Sequence, residues 1–338
     1  MDSVTQIVLG AAVGEAVCGK KIGNKAMIWG AIAGTIPDLD VMLAPFQDTV
    51  QYLSNHRGFT HSFLFAFLFS PLFAWVLLKI YPNGKAGFKD WTLLFFLGFV
   101  THIALDSFTT WGTQLFYPFS NYGVAFYSVF VIDPLYTVPF AIFLIWAAFK
   151  NKESKLRSKL NYIGISLSTF YLMITVVNKN VANKVFEENF AKQGIEYESY
   201  ISKPTPFNAI FWSVTAKTKN GYYTGFYSLL DKQKEIKFSL LEGNHHMLYP
   251  YSENQKLKRL IEITKDYYIV EEVDNRLVIN DLRFGQFNGW QGDEKAEFVF
   301  VYELEEKEEE LIIAQKEYLF KPDNEYLIAY FNRIGGKK

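Results

Sequence analysis

The chain has 338 residues, half of them hydrophobic and 18% aromatic, with a net charge of -1. A balance so close to neutral gives no basic footprint of the kind that marks nucleic-acid-binding proteins. Cys18 is the single cysteine, which excludes an internal disulfide and a cysteine-rich metal site.

Charge is unevenly spread: residues 1–180 hold nine acidic and thirteen basic side chains, residues 181–338 twenty-six and twenty-one. The start, Met1-Asp2-Ser3, lacks the basic region of a secretory signal, so no cleaved leader is expected. Residues 3–18, "SVTQIVLGAAVGEAVC", are apolar but short and include Glu15; a tilted span, a re-entrant helix and an interfacial helix all fit them. A bilayer core takes about 20 mostly apolar residues in helical form. Segments 26–45, 61–81, 91–109 and 160–178 meet that length, and 128–149 does so despite Asp133 and two prolines. Five spans are therefore expected, or six if residues 3–18 cross.

Orientation follows from the short loops. Residues 150–159, "KNKESKLRSK", are strongly basic and belong on the cytoplasmic side. Lys79, Lys85 and Lys89 then fall on the same side, as do Lys20, Lys21 and Lys25. The connections 46–60 and 110–127 lie outside, and so does everything after the last span. Residues 180–338 read as an extracytoplasmic α+β domain following a helical transmembrane domain at 1–179. Within the tail, "FNAIFWSVTA", "GYYTGFYSLL" and "YYIVEEVDNRLVINDLRF" predict strands, with turns at Asn220-Gly221 and Asp274-Asn275. "ENQKLKRLIEITK" has helical spacing, and the charge run "ELEEKEEE" reads as a solvated face. His245 and His246 would point to opposite faces of a strand, which argues against a shared metal.

The apolar half carries ionisable residues that membranes tolerate poorly: Glu15, Asp38, Asp40, His56, Arg57, His61, His102, Asp106 and Asp133. Each costs about 2.5–3.5 kcal/mol at membrane depth even on a lenient scale. The predicted topology brings most of them to one outer boundary: "PDLD" ends one span, "HRGFTHS" opens the next, and "HIALD" closes a third. The four-residue spacing of His102 and Asp106 puts both on one helical face. Imidazoles with carboxylates and no thiolate suit Zn²⁺, Mn²⁺ or Fe, and the number of ligands allows more than one ion. Asp38, Asp40, His61, His102 and Asp106 are the expected metal ligands. His56, Arg57, Asp133 and Glu15 are expected in catalytic or supporting roles, with Arg57 suited to a phosphate. Gly58 is expected to allow a close turn, and Thr60 to cap the second span.

"MDSVTQ", "GTIPDLDV", "HRGFTHS" and "HIALDSFTTWGT" resemble the bacterial inner-membrane metal-dependent hydrolases, also described as LexA-binding inner-membrane-associated hydrolases. The likeness covers about the first 150 residues, and the pairing of His-Arg-Gly-x-Thr-His-Ser with His-x3-Asp is specific. More distantly, the set is similar to zinc-dependent phospholipase C and P1-type nucleases. There the His-x3-Asp pair looks like His102 and Asp106, and the earlier ligands look like Asp38 or Asp40 and His61. The resemblance implies hydrolysis of a phosphodiester or phosphomonoester. One departure stands out: many relatives place a histidine where this chain has Gln6, which leaves one metal position lost or filled differently.

The expected function is thus a membrane-embedded, metal-dependent hydrolase of a phosphoester in a phospholipid or lipid-linked substrate. Two other classes fit the same residues. Intramembrane Asp and His also mark ion carriers, although a pathway needs polar groups across the whole membrane. A regulatory membrane protein with a closed, structural metal site is the third.

Overall fold

The computed structural model describes residues 1–292, 296–307, 310–316 and 321–337, and these form two compact units. The first holds residues 1–43, 55–176 and 206–208; the second holds 44–54, 177–205 and 209–338.

The first unit is helical. Helix α1 (Ser3–Ile22) starts at an Asp2 cap and is followed, across Gly23 at positive φ, by α2 (Asn24–Thr35). Pro37 removes a backbone donor, and the chain tightens into a 3₁₀ run at Ile36–Phe46. The two helices pack through glycine. A Cβ on Gly14 would stand 2.1 Å from the Ala26 carbonyl oxygen, and one on Gly30 2.2 Å from that of Gly10. Absent side chains let these backbones touch, the usual route to tight packing where lipid gives no hydrophobic drive. Gly14→Val should cost about 1–3 kcal/mol through overpacking, read as a lowered unfolding temperature in detergent.

After α3 (Thr49–Asn55), helix α4 (Phe63–Ile80) packs along α5 (Phe88–Ser107), and α5 also lies against α1 and α2. α6 (Pro134–Ala148) packs on α1, and α7 (Lys155–Lys192) follows. Large apolar side chains face outward: Phe67 is 71% exposed, and Trp75, Ile142 and Phe170 are about as open as a lipid-facing surface requires. Among the described residues, four stretches are long and apolar enough to cross a membrane: Asn24–Phe46, Phe63–Ile80, Phe88–Ser107 and Lys155–Lys192. The span expected at 128–149 is shorter than a crossing needs. Asp133 caps α6 and Pro134 starts it, leaving 15 helical residues. Residues 3–22 form one complete helix whose interior face is buried against α2.

One end of this unit is basic. Lys21 pairs with Asp90 at 2.6 Å, and Asn24 donates to the Ala148 carbonyl. Arg157 donates to the Lys150 carbonyl and to Asn24. These contacts gather the lysine-bearing loops of α1–α2, α4–α5 and α6–α7. Arg157, read as a loop charge, is in fact fully buried and holds Glu15 with two hydrogen bonds of 2.6 and 2.5 Å.

The second unit is α+β. Strands β1 (Ser199–Pro204), β2 (Phe211–Thr218), β3 (Gly221–Ser228) and β4 (Ser239–Glu242) form one antiparallel meander. Helix α8 (Gln255–Thr264) leads to a second meander of β5 (Tyr268–Val273), β6 (Arg276–Asp281), β7 (Val301–Lys307) and β8 (Glu310–Lys316), and α9 (Asn324–Ile334) closes the chain. The Asp274-Asn275 turn has both residues at positive φ, as a tight two-residue hairpin demands. α7 continues well past residue 178, packing Val185, Phe186 and Phe190 against Trp212, Val214 and Tyr227. The segment 44–54 joins this unit through Arg259 to Ser54 (2.9 Å) and Lys256 to Asp48 (3.4 Å).

Two expectations change here. His245 opens a 3₁₀ turn, His245–Tyr251, instead of sitting on a strand, and its ring stacks on Tyr268. The run "ELEEKEEE" is not a free solvated face: its first part is β7, with Leu304 buried and Glu303 paired to Arg276 and Lys316. Residues 308–309 of that run lie outside the described ones.

Candidate metal centre

Three segments of the first unit deliver the site. The 3₁₀ run after α2 carries Asp38 and Asp40, a short turn at Phe59–His61 carries His61, and the last turns of α5 carry His102 and Asp106. Ligand atoms of Asp38, His61, His102 and Asp106 all lie within 4.8 Å of one another. His61 Nε2 is 3.2 Å from His102 Nε2, 3.3 Å from Asp38 Oδ1 and 3.5 Å from Asp106 Oδ2. His102 Nε2 is 3.5 Å from Asp38 Oδ1 and 3.8 Å from Asp106 Oδ2. A tetrahedral ion with ligands at about 2.0–2.1 Å has edges of roughly 3.3–3.4 Å. Every pair that includes a histidine nitrogen, at 3.2–3.8 Å, already stands near that spacing.

Proton bookkeeping leads to the same place. His102 Nδ1 lies 2.7 Å from the Gly34 carbonyl, which can only accept, so Nδ1 carries the proton and Nε2 is bare in the neutral ring. His61 Nδ1 lies 3.1 Å from Thr60 Oγ1 and 3.6 Å from Asp40 Oδ2, a carboxylate that also favours a proton on that nitrogen. Two bare imidazole nitrogens thus face each other beside two carboxylates, a donor set suited to a cation, with the Arg57 guanidinium and the Met1 α-amino group already paired with Asp106. Of the Asp106 oxygens, Oδ1 accepts from Gln6 Nε2 (2.8 Å) and from the Met1 α-amino group, whereas the buried Oδ2 is ion-paired with Arg57 Nε at 3.0 Å and faces His61 Nε2. Three of the four ligand side chains are fully buried; Asp38, at 22% exposure, is the open edge.

A second layer holds the ligands in place. Asp40 accepts from the Arg57 backbone N–H (2.8 Å) and faces His56 Nδ1 (3.2 Å) and His61 Nδ1. Asp40 therefore supports the histidines and is not one of the four clustered ligands. The His56 ring stands edge-on to Trp111. Arg57 is buried, with its Nε 3.0 Å from Asp106 Oδ2 and its Nη1 donating to Thr109 Oγ1 at 2.8 Å. The loop 110–127 folds back on this turn, where Gln114 N–H donates to the Arg57 carbonyl.

Several expected roles shift. Gly58 does allow the close turn, since a Cβ there would stand 2.8 Å from the Asn55 carbonyl oxygen, but it is Arg57 that takes the positive φ. Ser62 caps α4, while Thr60 turns to His61. Gln6 reaches the cluster, but as a donor to Asp106. Asp133 is not in the group: its carboxylate caps α6 and accepts from the Tyr171 hydroxyl at 2.8 Å. Glu15 is not in it either, since Arg157 holds it nine residues along α1 from Gln6, about 13.5 Å. Gly34, Thr109 and Trp111 contribute as well. A backbone carbonyl leaves no mark in a sequence, and "TTWGT" reads there only as part of a motif.

With this geometry in place, comparisons with known proteins locate the chain. An uncharacterized protein of Bacillus subtilis (strain 168), YfhP, is 29% identical over 233 residues, covering 67% of this chain and 68% of that protein. The inner membrane protein YbcI of Escherichia coli (strain K12) is 29% identical over 109 residues, covering 32% of this chain and 61% of that protein. No solved structure matches the chain. The family model of the YdjM inner membrane protein matches residues 1–182, which include every residue of the metal cluster, and the chain belongs to that family.

Proposed function

We propose that this protein is a membrane-embedded, metal-dependent hydrolase acting on a phosphoester in a phospholipid or lipid-linked substrate. The observation that carries the reading is the convergence of two bare Nε2 atoms and two carboxylates, with a buried arginine beside them. Asp38, His61, His102 and Asp106 would hold a divalent ion, Zn²⁺ suiting the donor set best and Mn²⁺ or Fe also fitting. Such an ion supplies Lewis acidity and a more acidic bound water. Arg57 offers a planar cation for phosphoryl oxygens, fixed by Thr109. His56, oriented by Asp40 and Trp111, is placed to move a proton at the rim. The likeness to zinc-dependent phospholipase C rests on this same donor set.

A lipid-borne substrate is supported by the surroundings of the open edge. Leu39, Val41 and Met42 follow Asp38 and are exposed, with Met42 at 68%; Phe116 and Phe119 are exposed on the loop that covers the Arg57 turn. Placement of the site at the outer face follows the basic residues gathered at the opposite end.

One observation favours a second reading. Four protein ligands complete a tetrahedral set, which is the mark of a structural site. Purified protein in mild detergent, assayed on phosphodiester and phosphomonoester lipids with and without chelator, separates the two. Chelator-sensitive turnover is the expected result. Bound metal without turnover on any such substrate favours the structural reading, and gradient-driven metal uptake into proteoliposomes favours a carrier.

A further inference from the structure

Helix α9 is docked by one face and leaves a second apolar face uncovered. Tyr326, Tyr330 and Arg333 recur at the i, i+4, i+7 spacing of a single helical stripe, and this stripe turns inward. Tyr330 donates to Thr205 Oγ1 at 2.8 Å, and Arg333 forms a two-bonded pair with Asp231 while its guanidinium lies 4.7 Å from the centre of the Phe211 ring. The helix is thus pinned. Its other stripe, Leu327, Ile328 and Phe331, is exposed, with Ile328 at 64% and Phe331 at 62%. Leu230, whose carbonyl a Cβ on Gly336 would meet, lies beside the end of α9 and is 55% exposed.

The surroundings of α9 within its own unit indicate what covers this ridge. α7 is uninterrupted, and its charge-free run ends at Lys179, the first charged side chain after Lys159. Lys179 therefore marks the headgroup level of the membrane. Lys179 Nζ donates to the Ser202 carbonyl at the end of β1, and Asn178 donates to the Ala209 carbonyl. Thr205, the residue that receives Tyr330, lies between those two anchors. α9 is tied, through one short loop, to the level at which α7 leaves the bilayer. Lys321 and Lys337, both exposed, flank it, with the acids Asp323 and Glu325 at its first turn.

We propose that the Leu327–Ile328–Phe331 ridge of α9 rests in the lipid headgroup layer, so that the C-terminal unit holds the membrane surface by an interfacial helix as well as by α7. The inference does not depend on the hydrolase reading or on which leaflet is involved. Aromatic and aliphatic side chains on one stripe, with lysines at the rim, are what an interfacial helix presents to a lipid surface. A second copy of the chain is the competing occupant.

The test uses the full chain in nanodiscs of zwitterionic and anionic lipid, labelled with bimane at Ile328→Cys, Phe331→Cys or, as a control, Glu272→Cys. Cys18 is fully buried and stays unlabelled. Nitroxide lipids with the spin label at headgroup depth should quench positions 328 and 331 at least about twofold more than 272. Aqueous iodide should show the reverse order. Equal quenching at all three positions overturns the proposal. So does shielding of 328 and 331 that rises with protein concentration in detergent, which assigns the ridge to a second copy.

Discussion

Alanine at His102 or at Asp106 should lower the affinity for a divalent ion by more than about 100-fold, beyond the roughly 10–100-fold loss expected for Asp40→Asn. The difference follows from position. His102 and Asp106 each place an atom in the cluster, and His102 is held there by the Gly34 carbonyl. Asp40 touches His56 and His61 from behind, so its loss frees the His61 ring without removing a donor. Metal per chain, counted by mass spectrometry after dialysis against a defined free-metal buffer, separates the two effects. Circular dichroism verifies that the helices persist in each variant. If His102→Ala retains a full complement of metal, the cluster is not the binding site.

The ranking of those ligands shows how far the sequence could be read. His102 and Asp106 were legible because both lie on one helix, where a spacing of four fixes a common face. Asp38 and Asp40 were not separable, because the sequence does not announce a 3₁₀ run. At three residues per turn, positions two apart point about 120° apart, so one carboxylate enters the cluster while the other turns to His56. Asp133, expected in a catalytic or supporting role, is instead spent on capping α6, an Asp before proline at a helix start. The apolar runs located the long spans, but charge ended the run in α7 without ending the helix. The tail strands were legible from aromatic and β-branched residues between turn signals, as β2, β3, β5 and β6 show.

The largest stability effect belongs to a pair that no local pattern could reveal, because its members lie 142 positions apart. Arg157→Met should cost about 3–5 kcal/mol, since it strands the Glu15 carboxylate inside the helical unit. Glu15→Met should cost less, because Arg157 keeps Asn24 and the Lys150 carbonyl as acceptors. The double variant Glu15→Met/Arg157→Met should recover most of the loss, as buried ion pairs often exchange for apolar residues at little net cost. Thermal unfolding in one detergent orders the three, with Arg157→Met lowest. Metal content is the second readout: the pair is remote from the cluster, so all three variants should keep the ion. Loss of metal in Glu15→Met, with the fold intact, would return Glu15 to the site from which the structure separates it.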